Sequence, residues 1–297
     1  MMAPGCSGLT LVKVGSAGKW YVIRFWNKRG LKYWPQDLAC QLIASAAGYG
    51  SEVLFSDQQM AVSVMEYLEP QLLSPTEGRL SKIVELLKKI HGGPVLPPGI
   101  NRRAELIKSI DRAAAVVPAS IFDVEFFKQM SKQIFTAIES AGFVLVPCHR
   151  DLHPGNVIYT RGRFFAIDYT LGGMADAYTD LATIAFFECS NDEEDKVLLE
   201  LYLERAPTPA ECAKLSLYRA LDKLYFGIIF LYLTSPVLLE AARPLQESSR
   251  AWRNFGRQGG TSAAPEKLLE YGLSLLIEVS RYAQSGECAR DIALLVQ

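Results

Sequence analysis

Between His149 and Asp168, three oxygen-bearing side chains stand at spacings that one short loop and one tight hairpin can gather to a point. The run His149-Arg150-Asp151-Leu152-His153-Pro154-Gly155-Asn156 leads into two short apolar strands. These are expected at Val157–Thr160 and at residues 164–167, joined at Arg161-Gly162, and Asp168 follows the second. A loop that runs straight into a hairpin can present Asp151, Asn156 and Asp168 together. One carboxylate can then take a proton from a hydroxyl, while an amide oxygen and a second carboxylate are the hard donors that Mg²⁺ accepts. The chain must therefore fold so that this loop and its hairpin are framed.

Composition narrows the class. At 297 residues with 49% apolar residues, the chain can build one large domain or two lobes. The formal net charge is −1 and no long basic run exists, which argues against nucleic acid as the main partner. The six cysteines are scattered without a C-x-x-C pair, so buried reduced thiols are expected rather than a disulfide framework or a zinc site. The first residues lack a basic region followed by an apolar one, so no signal peptide is expected and a cytoplasmic location is. Residues 224–239 are mostly apolar but are interrupted by Thr234-Ser235-Pro236 and are short for a bilayer, so a buried helix ending before Pro236 is expected.

Patterning separates a small β-rich part from a larger helical one. Residues 11–14 and 20–26 read as strands around Gly15-Ser16-Ala17-Gly18, a hairpin signal. Pro35 opens a helix that stops near Gly48, and two more strands are expected at residues 53–55 and 60–65. Beyond Glu69-Pro70, residues Leu80, Ile83, Val84, Leu87 and Ile90 mark one face of a helix that ends at Gly92-Gly93-Pro94. A helix over residues 123–140 precedes the loop, and helices dominate from Thr179 onward. Asn191 followed by Glu194 forms a capping box for one of them, and residues 256–264 read as a loop. The expected boundary lies between residues 1–69 and 70–297, with the chemistry between two lobes.

Each loop residue has a plainer reading. A lone loop aspartate is usually a turn or cap residue, and a lone asparagine after Pro-Gly a turn amide. Asp151 together with Asn156 and Asp168 at these positions outweighs that reading. His149 and His153 read as braces of the loop backbone, and His91 as a packing histidine at a helix end.

The loop has the H-R-D-L-x-x-x-N pattern of phosphoryl-transfer enzymes. The run Cys148 to Ile158, with Ile167-Asp168-Tyr169 and with Asp176-Ala177-Tyr178-Thr179-Asp180-Leu181-Ala182, resembles the aminoglycoside phosphotransferase and choline kinase superfamily. A protein kinase of the eukaryotic type fits less well. Ile167-Asp168-Tyr169 stands where D-F-G would be, no A-P-E element follows, and the segment before Asp180 leaves no room for an activation loop.

The resemblance implies an α+β, bilobal protein-kinase-like fold, with a small β-rich nucleotide-binding N-lobe and a larger, mainly helical C-lobe. It implies ATP and Mg²⁺ as cofactors, Asp151 as base, and Asn156 and Asp168 as metal ligands. It further implies that Arg24, in Val22-Ile23-Arg24-Phe25, reaches the α- and β-phosphates and is fixed by Asp37, where the family usually has glutamate. Gln36 or Glu52 could serve in place of Asp37. Met65-Glu66-Tyr67-Leu68 resembles the hinge, with the Glu66 carbonyl and Leu68 amide meeting adenine. Ser7-Gly8-Leu9-Thr10 resembles the end of the phosphate-binding turn, without the family's preceding strand.

The acceptor is expected to be a small-molecule alcohol, choline or a related amino alcohol first. Thiamine, a sugar amine or an aminoglycoside is the alternative, and so is a catalytically silent binding protein. A cationic head group would need aromatic faces and a carboxylate. Tyr225 and Trp252 are the substrate candidates, within a supply that includes Tyr218, Phe226, Phe230, Tyr232 and Phe255. Asp180, Glu188 and Asp222 are the acidic candidates.

Overall fold

The computed structural model describes residues 9–28, 30–74, 78–115, 117, 122–232 and 265–297. The chain divides into two compact units, one of residues 1–99 and 145–180, the other of residues 100–144 and 181–297. Compactness thus groups the loop and its hairpin with the N-terminal sheet. The expected division at 69/70 concerns function and is taken up below.

The first unit opens with an antiparallel sheet in the order β1-β2-β4-β3, made of β1 (Leu9–Ser16), β2 (Lys19–Trp26), β3 (Val53–Asp57) and β4 (Val62–Glu66). The β1–β2 turn has Ala17 and Gly18 both at positive φ, 49° and 74°, as a tight hairpin matched to strand twist requires. Helix α1 (Trp34–Ala46) carries Pro35 in its first turn, where a missing N–H costs nothing. Leu9, Trp26 and Trp34 pack as a buried cluster, the two indoles edge to face at 5.9 Å. The second expected strand starts later than its sequence suggests. Met60 and Ala61 belong to a turn, with Ala61 at φ 52° and its carbonyl accepting from the Trp26 amide.

Helix α2 (Arg79–His91) buries Ile83, Val84, Leu87 and Ile90 of the expected stripe, together with Leu86 and His91, while Leu80 in the first turn is only half-buried. Two strands that the sequence does not announce then frame the loop. These are β5 (Leu145–Cys148) before it and β8 (Gly173–Asp176) after Asp168, paired antiparallel. Pro147 and Gly173 inside them erase any strand signature. Between them lies the expected hairpin of β6 (Val157–Thr160) and β7 (Arg163–Ala166), its turn residues Arg161 and Gly162 at φ 54° and 74°.

The second unit is helical. Its described elements are α3 (Arg102–Ala114), α4 (Val124–Ala141), α5 (Tyr178–Glu188) from Leu181 on, α6 (Asp192–Leu203), α7 (Pro209–Tyr232), α8 (Pro265–Gln284) and α9 (Glu287–Val296). Helix α7 runs 24 residues and packs against α8, α9, α3 and α4. Phe186, Phe187, Phe230, Leu268, Tyr271 and Leu275 form a core between α5, α7 and α8, with Phe226 against it. Asn101, Asp123 and Asn191 cap α3, α4 and α6 through their side-chain oxygens. The expected capping box is half present: the Glu194 amide donates to Asn191, but the Glu194 carboxylate accepts from the Ser190 amide, one residue before the cap, rather than from the cap's own amide. Among the described residues, no helix is long and apolar enough to cross a membrane. Residues 233–264, with the expected helix end at Pro236 and the loop at 256–264, lie outside the described ones.

Candidate active site

Arg24 sits on β2 opposite Ser63 of β4, and the residue is 4% exposed. Its Nη1 donates to Asp37 Oδ2 at 2.8 Å, and its Nη2 donates to Asp37 Oδ1 and to Asp168 Oδ1, each at 3.3 Å. Asp37 is therefore the partner, shorter than the family's glutamate but sufficient for the longer arginine. Of the two substitutes considered, Gln36 instead donates to the Gly172 carbonyl at 2.6 Å, tying α1 to the segment after Asp168. Burial pushes the Asp37 carboxyl up to about 6, and the Asp168 charge adds to this against the pull of Arg24. For Asp168, burial also works upward. There, however, the Arg24 guanidinium, the Thr170 hydroxyl, His149 and the Thr170 backbone outweigh it and hold the carboxyl below its usual value.

The hairpin returns Asp168 to Asn156 as the sequence predicts: the Ile167 amide donates to the Asn156 carbonyl at 3.0 Å. The Asn156 side-chain amide donates to the Asp151 carbonyl at 3.0 Å and to Asp151 Oδ2 at 3.3 Å. With Nδ2 so used, the oxygen of Asn156 is left as its acceptor. That oxygen and the ionised Asp168 carboxylate are both hard donors, which suits Mg²⁺ rather than a soft metal. Arg150 and Asp168 both adopt left-handed backbone, φ 69° and 62°, although neither is glycine. Such conformations cost on the order of 1–3 kcal/mol and cluster at functional sites.

The two loop histidines brace the backbone. His149 Nδ1 accepts from the Asp151 amide at 3.3 Å, so its Nε2 carries the proton given to the Ile167 carbonyl at 2.9 Å. His153 Nδ1 accepts from the Gly155 amide at 3.0 Å, which turns its Nε2 toward Asp151 Oδ2, 3.9 Å away.

Below the loop lies a clamp that the sequence does not reveal. Asp180, fully buried in the first turn of α5, accepts from the His149 amide at 2.8 Å and the Arg150 amide at 2.5 Å, and meets His91 Nε2 at 3.1 Å. Burial opposes its charge, but His91, His149 and the Arg150 amide prevail, and its carboxyl lies below its ordinary value. His91, Cys148 and Asp180 are close enough to share a metal. Both Asp180 oxygens are nevertheless taken by backbone amides, and burial pushes the Cys148 thiol far up. The group is a clamp on the loop rather than a metal site. Two glycines make room beside it: a Cβ on Gly99 would lie 2.2 Å from Arg150 Nη1, and one on Gly173 2.4 Å from Gly99 Cα. A signal for the clamp did exist, since His91 and Asp180 each follow or open a helix, but no spacing links residues 89 positions apart.

The residues expected at a hinge are engaged by contacts of their own. The Glu66 carbonyl already accepts from the Ser51 hydroxyl at 2.7 Å, and the Glu66 side chain pairs with Arg161. The Leu68 side chain is buried, and the Tyr67 amide donates to the Trp20 carbonyl at 3.1 Å. Ser7, Gly8, Trp252 and Phe255 lie outside the described residues, as does the side chain of Tyr232. In the helical unit, Tyr225 is half-buried with its ring edge-on to Phe226 at 5.8 Å, while Tyr218, Phe226 and Phe230 serve the core. Asp222 is buried, accepts from the Thr183 hydroxyl at 3.0 Å and is ion-paired with Arg102.

Known structures share this architecture. A choline/ethanolamine kinase family protein from Mesorhizobium loti superposes with a TM-score of 0.67 at 20% identity, over 97% of this chain and 92% of that one. Choline kinase LicA from Streptococcus pneumoniae gives 0.58 at 17% identity, over 89% of each chain. These likenesses show the fold, the α+β protein-kinase-like architecture expected above. A curated relative, a LicA homolog of Mycoplasma capricolum, is 23% identical over 149 residues, 50% of this chain. The match spans 60% of that relative's length. The sequence model of the phosphotransferase enzyme family (APH) matches residues 27–215, well over half of the chain and the whole of the loop, its hairpin and the clamp, and the chain belongs to that family.

Proposed function

We propose that the chain transfers the γ-phosphoryl group of ATP to the hydroxyl of a small molecule, choline or ethanolamine first, in a reaction that requires Mg²⁺. The observation that carries this reading is one connected set of contacts, Asp37 to Arg24 to Asp168 on one side and Asn156 to Asp151 on the other, joined through the Ile167 amide. When bound, Mg²⁺ would neutralise charge on the phosphates, and the Asn156 oxygen and Asp168 would hold it. Asp151, its side chain 28% exposed, would orient the acceptor hydroxyl and take its proton. Arg24 would steady the α- and β-phosphates, held in aim by Asp37. Ser7 and Gly8 would lie against the phosphates, and the Glu66 carbonyl, already sharing one lone pair with Ser51, and the Leu68 amide would meet the adenine edge. In this reading residues 1–69 bind nucleotide and residues 70–297 supply catalysis and the acceptor site, in the cytoplasm where ATP is at hand. Tyr225 and Trp252 are the proposed contacts to the acceptor.

The alternative acceptor class is thiamine, a sugar amine or an aminoglycoside. Of the carboxylates expected to meet a cationic acceptor, Asp180 accepts from backbone amides and Asp222 is paired with Arg102, which weighs against an acceptor that needs several acidic partners. ADP release by purified protein with Mg·ATP, compared across choline, ethanolamine, thiamine and an aminoglycoside, decides between the two. Asp151→Ala should lower acceptor-dependent turnover about 10²–10⁴-fold. An unchanged rate in that variant would remove Asp151 from the role of base. Nucleotide binding without turnover on any acceptor would favour a silent, binding-only protein.

A further inference from the structure

We propose that Lys13, enclosed by Trp20, Tyr67 and Glu69, is a positioning residue that holds the base end of the nucleotide site. The inference rests on the phosphotransferase reading, in which the expected hinge meets the base and Arg24 the phosphates. Leu11 and Lys13 of β1 stand opposite Arg24 and Val22 of β2, and Gly15 stands opposite Trp20. Directly paired residues point to one side of a sheet, so Lys13, Trp20 and Arg24 share a face. Trp20 lies four residues before Arg24 on β2, a distance of roughly 13 Å along the strand. That is comparable to the span from the β-phosphate of a nucleotide to its base.

The Lys13 ammonium lies 3.6 Å from the centre of the Tyr67 ring, 4.7 Å from that of Trp20 and 3.4 Å from Glu69 Oε2. Two aromatic faces and a carboxylate are a set that recognises ammonium cations, and here the chain supplies the cation itself. Trp20 is 52% exposed, so burial does not fix its ring. Gly15 gives the ring its place: a Cβ there would lie 2.9 Å from Trp20 Cζ3. On the other side, the Tyr67 amide donates to the Trp20 carbonyl at 3.1 Å. Lys13 therefore joins β1, the start of β2 and residues 67–69. Among the described residues β1 is an outer strand of the sheet, paired with β2 alone. The lysine gives it a second attachment, at the expected hinge. Arg24 is held separately, by Asp37. Loss of Lys13 should thus loosen the contacts to the base and spare those to the phosphates.

The test is calorimetric and needs no turnover. Two ligands are compared in the presence of Mg²⁺: a non-hydrolysable ATP analogue, and inorganic tripolyphosphate, which has the phosphates but no base. Lys13→Met should weaken binding of the analogue about three- to ten-fold, the scale of one or two cation–π contacts, and leave tripolyphosphate binding unchanged. Lys13→Arg, which keeps a cation over the rings, should restore most of the affinity. Gly15→Ala, which pushes the indole away from Lys13, should reproduce the loss. Equal binding of the analogue by Lys13→Met and the wild type would overturn the proposal and leave the phosphotransferase reading standing. A parallel loss of tripolyphosphate binding would also overturn it, since that marks a general loosening of the sheet. So would a Lys13→Arg variant as weak as Lys13→Met. A wild type that binds neither ligand would remove the phosphotransferase reading, and the role of Lys13 with it.

Discussion

Arg24 and Asp37 form a length-matched pair. Arginine reaches farther than lysine, aspartate less far than glutamate, and the two differences offset one another at 2.8 Å. Arg24→Lys should therefore lower kcat/KM for ATP about ten-fold or more, and adding Asp37→Glu should recover much of the loss, a positive interaction in a double-mutant cycle. Additive losses would show that the pair does not act as a unit. Asp37 also gives a pH signature. Its carboxyl, raised to about 6 in the folded chain, binds a proton there more readily than in the unfolded chain. The stability it contributes is complete below about pH 4, near the ordinary aspartate value, and is lost as pH rises through about 6. The stability difference between the wild type and Asp37→Asn, from urea unfolding at each pH, should shift in the wild type's disfavour across that window. Activity should move the opposite way, falling as Asp37 takes up its proton and Arg24 loses its anchor. At this scale the sequence is most legible where the spacing is local. Asp151, Asn156 and Asp168 lie within one loop and one hairpin, so the chain's own turns bring them together. The Arg24 partner was expected to be Asp37, with Gln36 or Glu52 as substitutes, and the structure gives Asp37; the choice depends on how α1 lies against β2.

At the scale of elements, the loop from His149 to Asn156 is held by α5 and α2 through Asp180. The buried carboxylate answers two amides and one imidazole. Asp180→Asn keeps the shape but removes the charge and sets an NH₂ against donors. It should cost about 3–5 kcal/mol in urea unfolding, the range for breaking a buried charged network. A cost under about 1 kcal/mol would deny the clamp. Its carboxyl lies below the ordinary value, so its contribution is present at neutral pH and is lost as pH falls through and below the usual carboxylate range. Helix caps are a smaller matter: Asn101→Ala or Asp123→Ala should each cost about 1 kcal/mol in thermal or urea unfolding. The Asn191 cap was legible because its signature spans four residues. Strands β5 and β8 were not, for they contain proline and glycine and exist only by pairing with each other.

At the scale of the molecule, each compact unit contains buried ion pairs of its own, Arg24 with Asp37 in one and Arg102 with Asp222 in the other. In the helical unit Asp222 is neutralised by Arg102 of α3. Arg102→Met would leave that carboxylate buried and unpaired, and should destabilise the chain by about 3–5 kcal/mol, read from the urea midpoint. A neutral result would mean that Thr183 and solvent suffice for Asp222. The aromatic residues of α7 illustrate how far a sequence reading reaches. They are offered by the sequence as a supply of aromatic faces for a cationic acceptor, but Phe226 and Phe230 pack into the core with Phe186 and Tyr271. Periodicity records that a face is apolar and does not say what covers it. By itself, the sequence determined the loop, its hairpin, the Asn191 cap and the family, because these are patterns of neighbouring residues governed by local backbone geometry. Only the tertiary structure decided which carboxylate holds Arg24, that Asp180 and His91 clamp the loop, and which charged side chains are already paired. Those contacts join residues 13 to 144 positions apart, and their geometry exists only once the elements have packed.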